Sequence, residues 1–172
     1  EGVQLGEQVR VGRASYIDSG VHIGPFTKIQ NHAMIFKPAV IGSGVFIGPG
    51  VVLTNDRNPR AVLPNMEPKS ASDWITVGVV VRDGASLGAN STCVAPVQIG
   101  QWAMVAAGSV VTKDVRDFAL VAGNPARQIG WVSASGFRLE PGPDQRHLVC
   151  PSSGEIYKRV GENSIEPVVR VP

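Results

Sequence analysis

The chain has 172 residues, room for one domain with a continuous core and too little for two ordinary ones. Charged residues make up 17% of it and the formal net charge is +2, with no long basic run, which argues against nucleic acid as its main partner. With 20 Gly, 13 Pro, and 37 Val and Ile against 7 Leu, strands are favoured over long helices and helical bundles. No apolar run approaches the roughly 20 residues that span a bilayer. Residues 1–10 lack the basic-then-apolar form of a secretory signal. Cys93 and Cys150 alone make no disulfide framework. The expectation is a soluble cytoplasmic protein without a membrane or nucleic-acid partner.

From the start of the chain a six-residue period dominates. Every sixth residue from Leu5 is aliphatic: Leu5, Val11, Ile17, Ile23, Ile29, Ile35, Ile41, Ile47 and Leu53. A second run reads Ile75, Val81, Leu87, Cys93, Ile99, Val105 and Val111. Fifteen of these sixteen positions are Leu, Ile or Val, far beyond chance. Four residues after each, Leu53 excepted, sits a small or β-branched residue, from Val9, Ser15, Val21 and Thr27 to Ala103, Ser109 and Val115. A period of six fits neither a 3.6-residue helix nor a 3.5-residue heptad. It fits a solenoid in which each hexad makes one short strand and one corner, with the aliphatic side chain pointing inward. Three hexads close a triangular coil of 18 residues, and coils stack as parallel strands about 4.8 Å apart. About five coils make a prism roughly 25 Å tall. Ile17 then lies under Ile35 under Leu53, and Leu87 under Val105. The ladder is core and carries no chemistry.

Between Leu53 and Ile75 the period fails. Residues 54–74 (TNDRNPRAVLPNMEPKSASDW) contain three prolines and a cluster of polar groups. They are predicted to leave the prism as one excursion loop and return in a shifted register, with Met66 and Trp74 as apolar anchors. Long ordered loops on rigid scaffolds tend to carry function. Residues 1–116 form the helical domain and residues 117–172 an extension on its end and side. In the extension, VAGNPAR at 121–127 is turn-rich, residues 131–158 suit short hairpins, and residues 160–172 suit an edge strand or a loose end.

The hexads, the loop and VAGNPAR together resemble the hexapeptide-repeat acyltransferases. Further segments narrow the likeness: IQNHAMIF at 29–36, VVLTNDRNPRA at 51–61, LGANSTCVAP at 87–96, AGSVVTKDV at 107–115, GWVSASGFRL at 130–139 and CPSSGEIYK at 150–158. These are similar to N-acetyltransferases of nucleotide-linked 3-amino sugars, including the UDP-2-acetamido-3-amino-glucuronate type. The resemblance implies an all-β, left-handed parallel β-helix that trimerises with sites between subunits. It implies acetyl-CoA as co-substrate and a UDP- or dTDP-linked amino sugar as acceptor. The left hand comes from the family, against the usual right-handed crossover.

The implied reaction is attack of a sugar amine on the thioester carbonyl. The resemblance places Asn55 against the amine, where its side-chain oxygen can accept an N–H bond but cannot act as a base. An Asx turn opening the loop is the bland alternative for Asn55. His32, at a coil corner one coil from Gly50, is the second catalytic candidate and can accept the ammonium proton in the same groove. Asn31 is a candidate for sugar hydroxyls. Arg57 and Arg60 are candidates for a diphosphate or sugar carboxylate. Asp56 is a weaker alternative base, and His22 and His147 read as plain surface. For the cofactor, the resemblance implies backbone N–H groups of Ala89 and Ala107 at the thioester or pantetheine, with Lys113 and Arg127 near the CoA phosphates. Asn124 and Pro125 shape a turn.

Some relatives carry two Cys-rich knuckles in the tail. Here Cys150 remains, but Ser133, Ser135, Ser152 and Ser153 stand where further ligands would be. One thiol cannot make a tetrahedral zinc site, so no metal is expected. Cys93 falls on the ladder and should be an inert core thiol. The competing functions are an acyltransferase with another acceptor, O-directed or a different amine, and a non-enzymatic solenoid. A zinc carbonic anhydrase is disfavoured, because His22 and His32 are not vertical neighbours.

Overall fold

The computed structural model describes residues 2–144, 146–161 and 163–168. Each hexad gives a two-residue strand followed by a turn. The first coil contains β1 (Gln4–Leu5), β2 (Arg10–Val11) and β3 (Tyr16–Ile17); the second contains β4 (His22–Ile23), β5 (Lys28–Ile29) and β6 (Met34–Ile35). The third contains β7 (Val40–Ile41), β8 (Phe46–Ile47) and β9 (Val52–Leu53). After the excursion come β10 (Val80–Val81), β11 (Ser86–Leu87) and β12 (Thr92–Cys93), then β13 (Gln98–Ile99), β14 (Met104–Val105) and β15 (Val110–Val111). The strands stack into three parallel sheets, which form faces A (β1-β4-β7-β10-β13), B (β2-β5-β8-β11-β14) and C (β3-β6-β9-β12-β15) of a left-handed β-helix with five complete coils.

The registers are those the period implies. Ile17 pairs with Ile35 and Ile35 with Leu53, and Leu87 with Val105. The second residue of each strand points inward, and from Ile23 upward these residues are buried. Each fully buried aliphatic side chain contributes about 1.5–3 kcal/mol of transfer free energy. Leu5 and Val11, in the first coil, are instead 52% and 46% exposed, because no described coil lies beneath them.

Corners turn through left-handed backbone. On the edge between faces B and C, Ala14, His32, Gly50, Asn90 and Gly108 all have φ between +56° and +69°. A Cβ on Gly50 would also run into the Asn90 side chain, so only glycine suits that corner. Two devices satisfy the amide after a corner. Ser15 and Thr27 donate their hydroxyls to Gln30 O (2.8 Å) and Gly42 O (2.9 Å), and accept from Ala33 N (3.3 Å) and Val45 N (3.1 Å) of the coil above. Elsewhere the turn closes on itself, as in Ser109 N to Ala106 O at 3.3 Å. There the hydroxyl below, Ser91 Oγ, is buried without a partner.

Ile75 does not resume the ladder: it is 84% exposed and lies outside every strand. Face A restarts at β10, where Val80 pairs with Val40 and Val81 with Ile41. The intervening chain folds on itself rather than onto the prism. Met66 and Trp74 are exposed and do not anchor it.

Beyond the fifth coil the helix goes on past residue 116. β16 (Ala119–Gly123) adds to face B in parallel with β14, and β17 (Ala126–Trp131) folds back antiparallel on it. Then β18 (Glu140–Pro141), β19 (His147–Val149), β20 (Ile156–Val160) and β21 (Ser164–Pro167) form an antiparallel meander with β21 at its edge. Residues 169–172, the end of the predicted edge strand, lie outside the described residues. The meander has its own core of Phe118, Leu139, Leu148, Cys150, Tyr157 and Ile165. Phe118 and Tyr157 meet edge to face at 5.3 Å, and the Tyr157 hydroxyl accepts Ala134 N at 2.7 Å.

Candidate active site

Two edges of the prism, on either side of face C, hold the candidate residues. The first is the edge from face C to face A, where the loop departs. Thr54 N donates to Cys93 O (3.0 Å), and Thr54 Oγ1 accepts Ala95 N (3.0 Å), fixing the exit to the coil above. Asn55 is only 6% exposed. Its Nδ2 donates to Lys37 O of the coil below (2.7 Å), and its carbonyl accepts Val77 N (3.1 Å), so the loop leaves and returns through this residue. A carbonyl can only accept, so the Asn55 amide must turn its NH2 toward Lys37, leaving Oδ1 as the free acceptor. The Asx turn, the bland alternative for Asn55, is made by Asp56, whose Oδ1 accepts Asn58 N at 2.8 Å.

Within the loop, Leu63 N to Glu67 O (2.8 Å) and Lys69 N to Ala61 O (3.1 Å) make a small hairpin. A short 3-10 turn follows at Ala71–Asp73. There the Ser70 hydroxyl and amide donate to Asp73 and hold its carboxyl below the usual range. Arg57 and Arg60 are exposed, and Arg60 donates to its neighbour Pro59 O. Lys113 stands on this same edge two coils above Asn55, because Asn55, Ala95 and Lys113 each follow an inward face C residue by two.

The second edge, between faces B and C, carries Asn31, His32, Ala89 and Ala107. Asn31 Oδ1 accepts Arg13 N (2.8 Å), which leaves its Nδ2 and one lone pair of Oδ1 for a ligand. His32 N donates to Arg13 O (3.0 Å), and its ring is exposed at the corner. Successive corners are joined by Gly50 N to Asn31 O (3.0 Å), Asn90 N to Pro49 O (2.8 Å) and Gly108 N to Ala89 O (2.8 Å). The amides of Ala89 and Ala107 make no backbone hydrogen bond among the described residues, so two stacked N–H donors face outward one coil apart.

His32 and Asn55 were expected in one groove. Within a single chain they are not: face C lies between them. Its outward side chains are Tyr16, Met34, Val52, Thr92 and Val110, a column without charge.

Lys113 and Arg127 line one cavity of about 370 Å³ over the last coil, together with Val111, Val115 and Val121. Arg116 joins them there, its Nη1 donating to Gln128 Oε1 at 3.1 Å. No motif marked Arg116; the pairing of β17 with β16 brings Gln128 to it. His22 is exposed on face A, and His147 pairs with Asp144 at 2.7 Å in the meander. Among the described residues no three His, Cys, Asp or Glu side chains gather as metal ligands.

Residues 78–113 match the family described as the hexapeptide repeat of succinyl-transferase. The chain is 48% identical over 79 residues to the dTDP-3-amino-3,6-dideoxy-alpha-D-galactopyranose 3-N-acetyltransferase of Aneurinibacillus thermoaerophilus, a match over 46% of this chain and 40% of that protein. It is 35% identical over 137 residues to serine acetyltransferase 4 of Arabidopsis thaliana, over 76% of this chain and 30% of that protein. The chain thus spans less than half the length of these curated relatives. Among solved structures, a hexapeptide-repeat-containing acetyltransferase of Vibrio cholerae complexed with acetyl coenzyme A has a TM-score of 0.61 at 26% identity, covering 77% of this chain and 72% of that one. The five-coil helix, its hexad ladder and these likenesses make the chain similar, in fold and in repeat, to the hexapeptide-repeat acyltransferases.

Proposed function

We propose that the protein transfers the acetyl group of acetyl-CoA to the amino group of a UDP- or dTDP-linked 3-amino sugar, as a homotrimer with its sites between subunits. The observation that carries this reading is the Asn55 side chain. It is buried and fixed by Lys37 O, with its acceptor oxygen free at the root of the loop. Such an acceptor takes an N–H of a neutral amine and aims the nitrogen lone pair away from itself. The named activity of the Aneurinibacillus relative, 3-N-acetylation of a dTDP-amino sugar, supports the acceptor class.

The donor side draws on the other edge and on the top of the prism, where Lys113 rises from the loop edge itself. The free amides of Ala89 and Ala107 suit the pantetheine or thioester, and Lys113, Arg116 and Arg127 suit CoA phosphates at the top of the prism. Because the two edges flank face C, donor and acceptor meet only when a second copy packs its loop edge against the donor edge of the first. The uncharged outward column of face C fits such packing. The amine nitrogen attacks the thioester carbon, a C–N bond forms, and the oxyanion collapses with loss of the CoA thiolate. The ammonium proton passes to His32 of an adjoining copy or to water. Holding two substrates in register is worth about 7–11 kcal/mol of barrier.

The test is thiol release from acetyl-CoA with a panel of UDP- and dTDP-linked 3-amino sugars, beside light-scattering mass in solution. Turnover with a 3-amino acceptor by a trimer is expected. Turnover only with hydroxyl acceptors would replace this proposal with an O-acetyltransferase, the alternative favoured by the longer match to a serine acetyltransferase.

A further inference from the structure

Three successive coils are tied together on the loop edge. Lys37 N donates to Asp18 Oδ2 (3.3 Å), and Lys37 O accepts Asn55 Nδ2 (2.7 Å). Both polar backbone atoms of Lys37 are therefore held, and its Cα is fixed against the Asn55 amide. Its side chain is exposed. The ammonium makes no ion pair among the described residues, where the single ion pair is His147 with Asp144 in the meander. Asp18, whose carboxylate feels the Lys37 charge without closing an ion pair, accepts the amides of Ser19 and Lys37 and the hydroxyl of Tyr16. One coil below the amine-facing group, the edge thus carries an unpaired cation on a rooted backbone. Arg57 and Arg60, by contrast, hang from the loop.

We propose that Lys37 is a specificity-determining residue for the acceptor, its ammonium pairing with an anionic group of the sugar nucleotide whose amine meets Asn55. The inference rests on the acceptor class proposed above. The anion has two possible sources in such a molecule, a carboxylate on the sugar ring or the diphosphate. A compact ammonium on a flexible stem suits either as a point charge. A charge-assisted contact of this kind discriminates by about tenfold or more in affinity.

The variant Lys37→Met is informative because Asn55 is held by the backbone oxygen of residue 37, which the substitution keeps. The acceptor KM should rise about tenfold, with kcat and the KM for acetyl-CoA within about twofold. Lys37→Arg should restore most of the loss, and Lys158→Met, in the meander, should change nothing. Two acceptors with the same nucleotide separate the sources. A rise confined to the uronic-acid sugar assigns the carboxylate, and a rise with both the uronic and the neutral sugar assigns the diphosphate. An unchanged KM with both acceptors overturns the proposal. So does a fall in kcat at constant KM, which would give Lys37 only a structural role under Asn55. If the unsubstituted enzyme turns over neither acceptor, the acceptor class fails first and this inference with it.

Discussion

The two cysteines sit in two cores built in opposite ways. Cys93 lies on the inner ladder of face C between Leu53 and Val111, and burial pushes its thiol up to about 12. Cys150 is equally hidden in the meander. There too burial raises the thiol, but hydrogen bonds from Ser133, from the Ser153 hydroxyl and amide and from Ser135 outweigh it, bringing the value to about 6. The Ser135 and Ser153 hydroxyls also lie within reach of Glu155, at 2.9 and 2.8 Å, and each has one proton to give to either acceptor. The solenoid core repeats one kind of residue at one kind of position and admits small hydroxyls at its corners, those of Thr27, Ser91 and Ser109. The meander core uses each residue once and keeps its polar groups by satisfying them. A repeat therefore spreads its stability over many interchangeable layers, whereas the meander concentrates it in a few contacts.

The largest expected effect breaks that contrast directly. Tyr157→Ala removes the buried ring packed on Phe118 and the acceptor of Ala134 N, and should cost the meander about 3–5 kcal/mol. Calorimetry should then show the meander melting well before the helix. Ile47→Ala should cost about 2–5 kcal/mol and lower the main transition instead. A single shared transition in both variants would mean that the two cores fold as one unit.

Asn55→Ala sharpens a second difference, between residues that build the edge and residues that use it. It should lower kcat/KM by about 10- to 100-fold, as for loss of one well-placed hydrogen bond. Because the substitution also removes the bond to Lys37 O, stability should fall by about 1 kcal/mol with the fold retained, as read from the melting temperature. Unchanged kinetics would take Asn55 out of the site.

The thiols provide a smaller test. The folded value of Cys150 lies below that of an ordinary thiol at about 9, so between about 6 and about 9 the unfolded meander binds more protons than the folded one. Its stability should rise as pH increases through that window, and Cys150→Ser should flatten the slope. Cys93 should give no such dependence below pH 9 and should resist alkylation in the native protein. The smallest effect belongs to Ser91→Ala, which removes a buried hydroxyl without a partner. It should be neutral or stabilise by up to about 1 kcal/mol, measured by denaturant midpoint.

The helix was legible because inward residues recur every six positions and a triangular coil requires that period. Stacked pairs such as Ile17, Ile35 and Leu53 could be named from the sequence alone. Ile75 was misplaced because it has the right residue type at the right spacing, yet the chain at that point is still in the loop. Hydrophobicity records what a position would accept; pairing decides whether it is offered. The loop's departure was visible in its broken period, but the fixing of Asn55 by Lys37 O depends on an 18-residue vertical step that only the coil supplies. The distribution of candidates over two edges was hidden for the same reason. Arg116 was invisible because its partner Gln128 arrives through a strand reversal that no spacing predicts.

The root of the loop has one more consequence. Val80 stacks on Val40, 40 positions away, where the other steps between the five complete coils take 18, yet the column continues without a fault. Because Asn55 and Val77 close that gap by a single backbone bond, length and composition between them are nearly free variables. The site thus behaves like a socket, into which evolution or an engineer can plug recognition cassettes of different reach while the column and its donor rail stay unaltered.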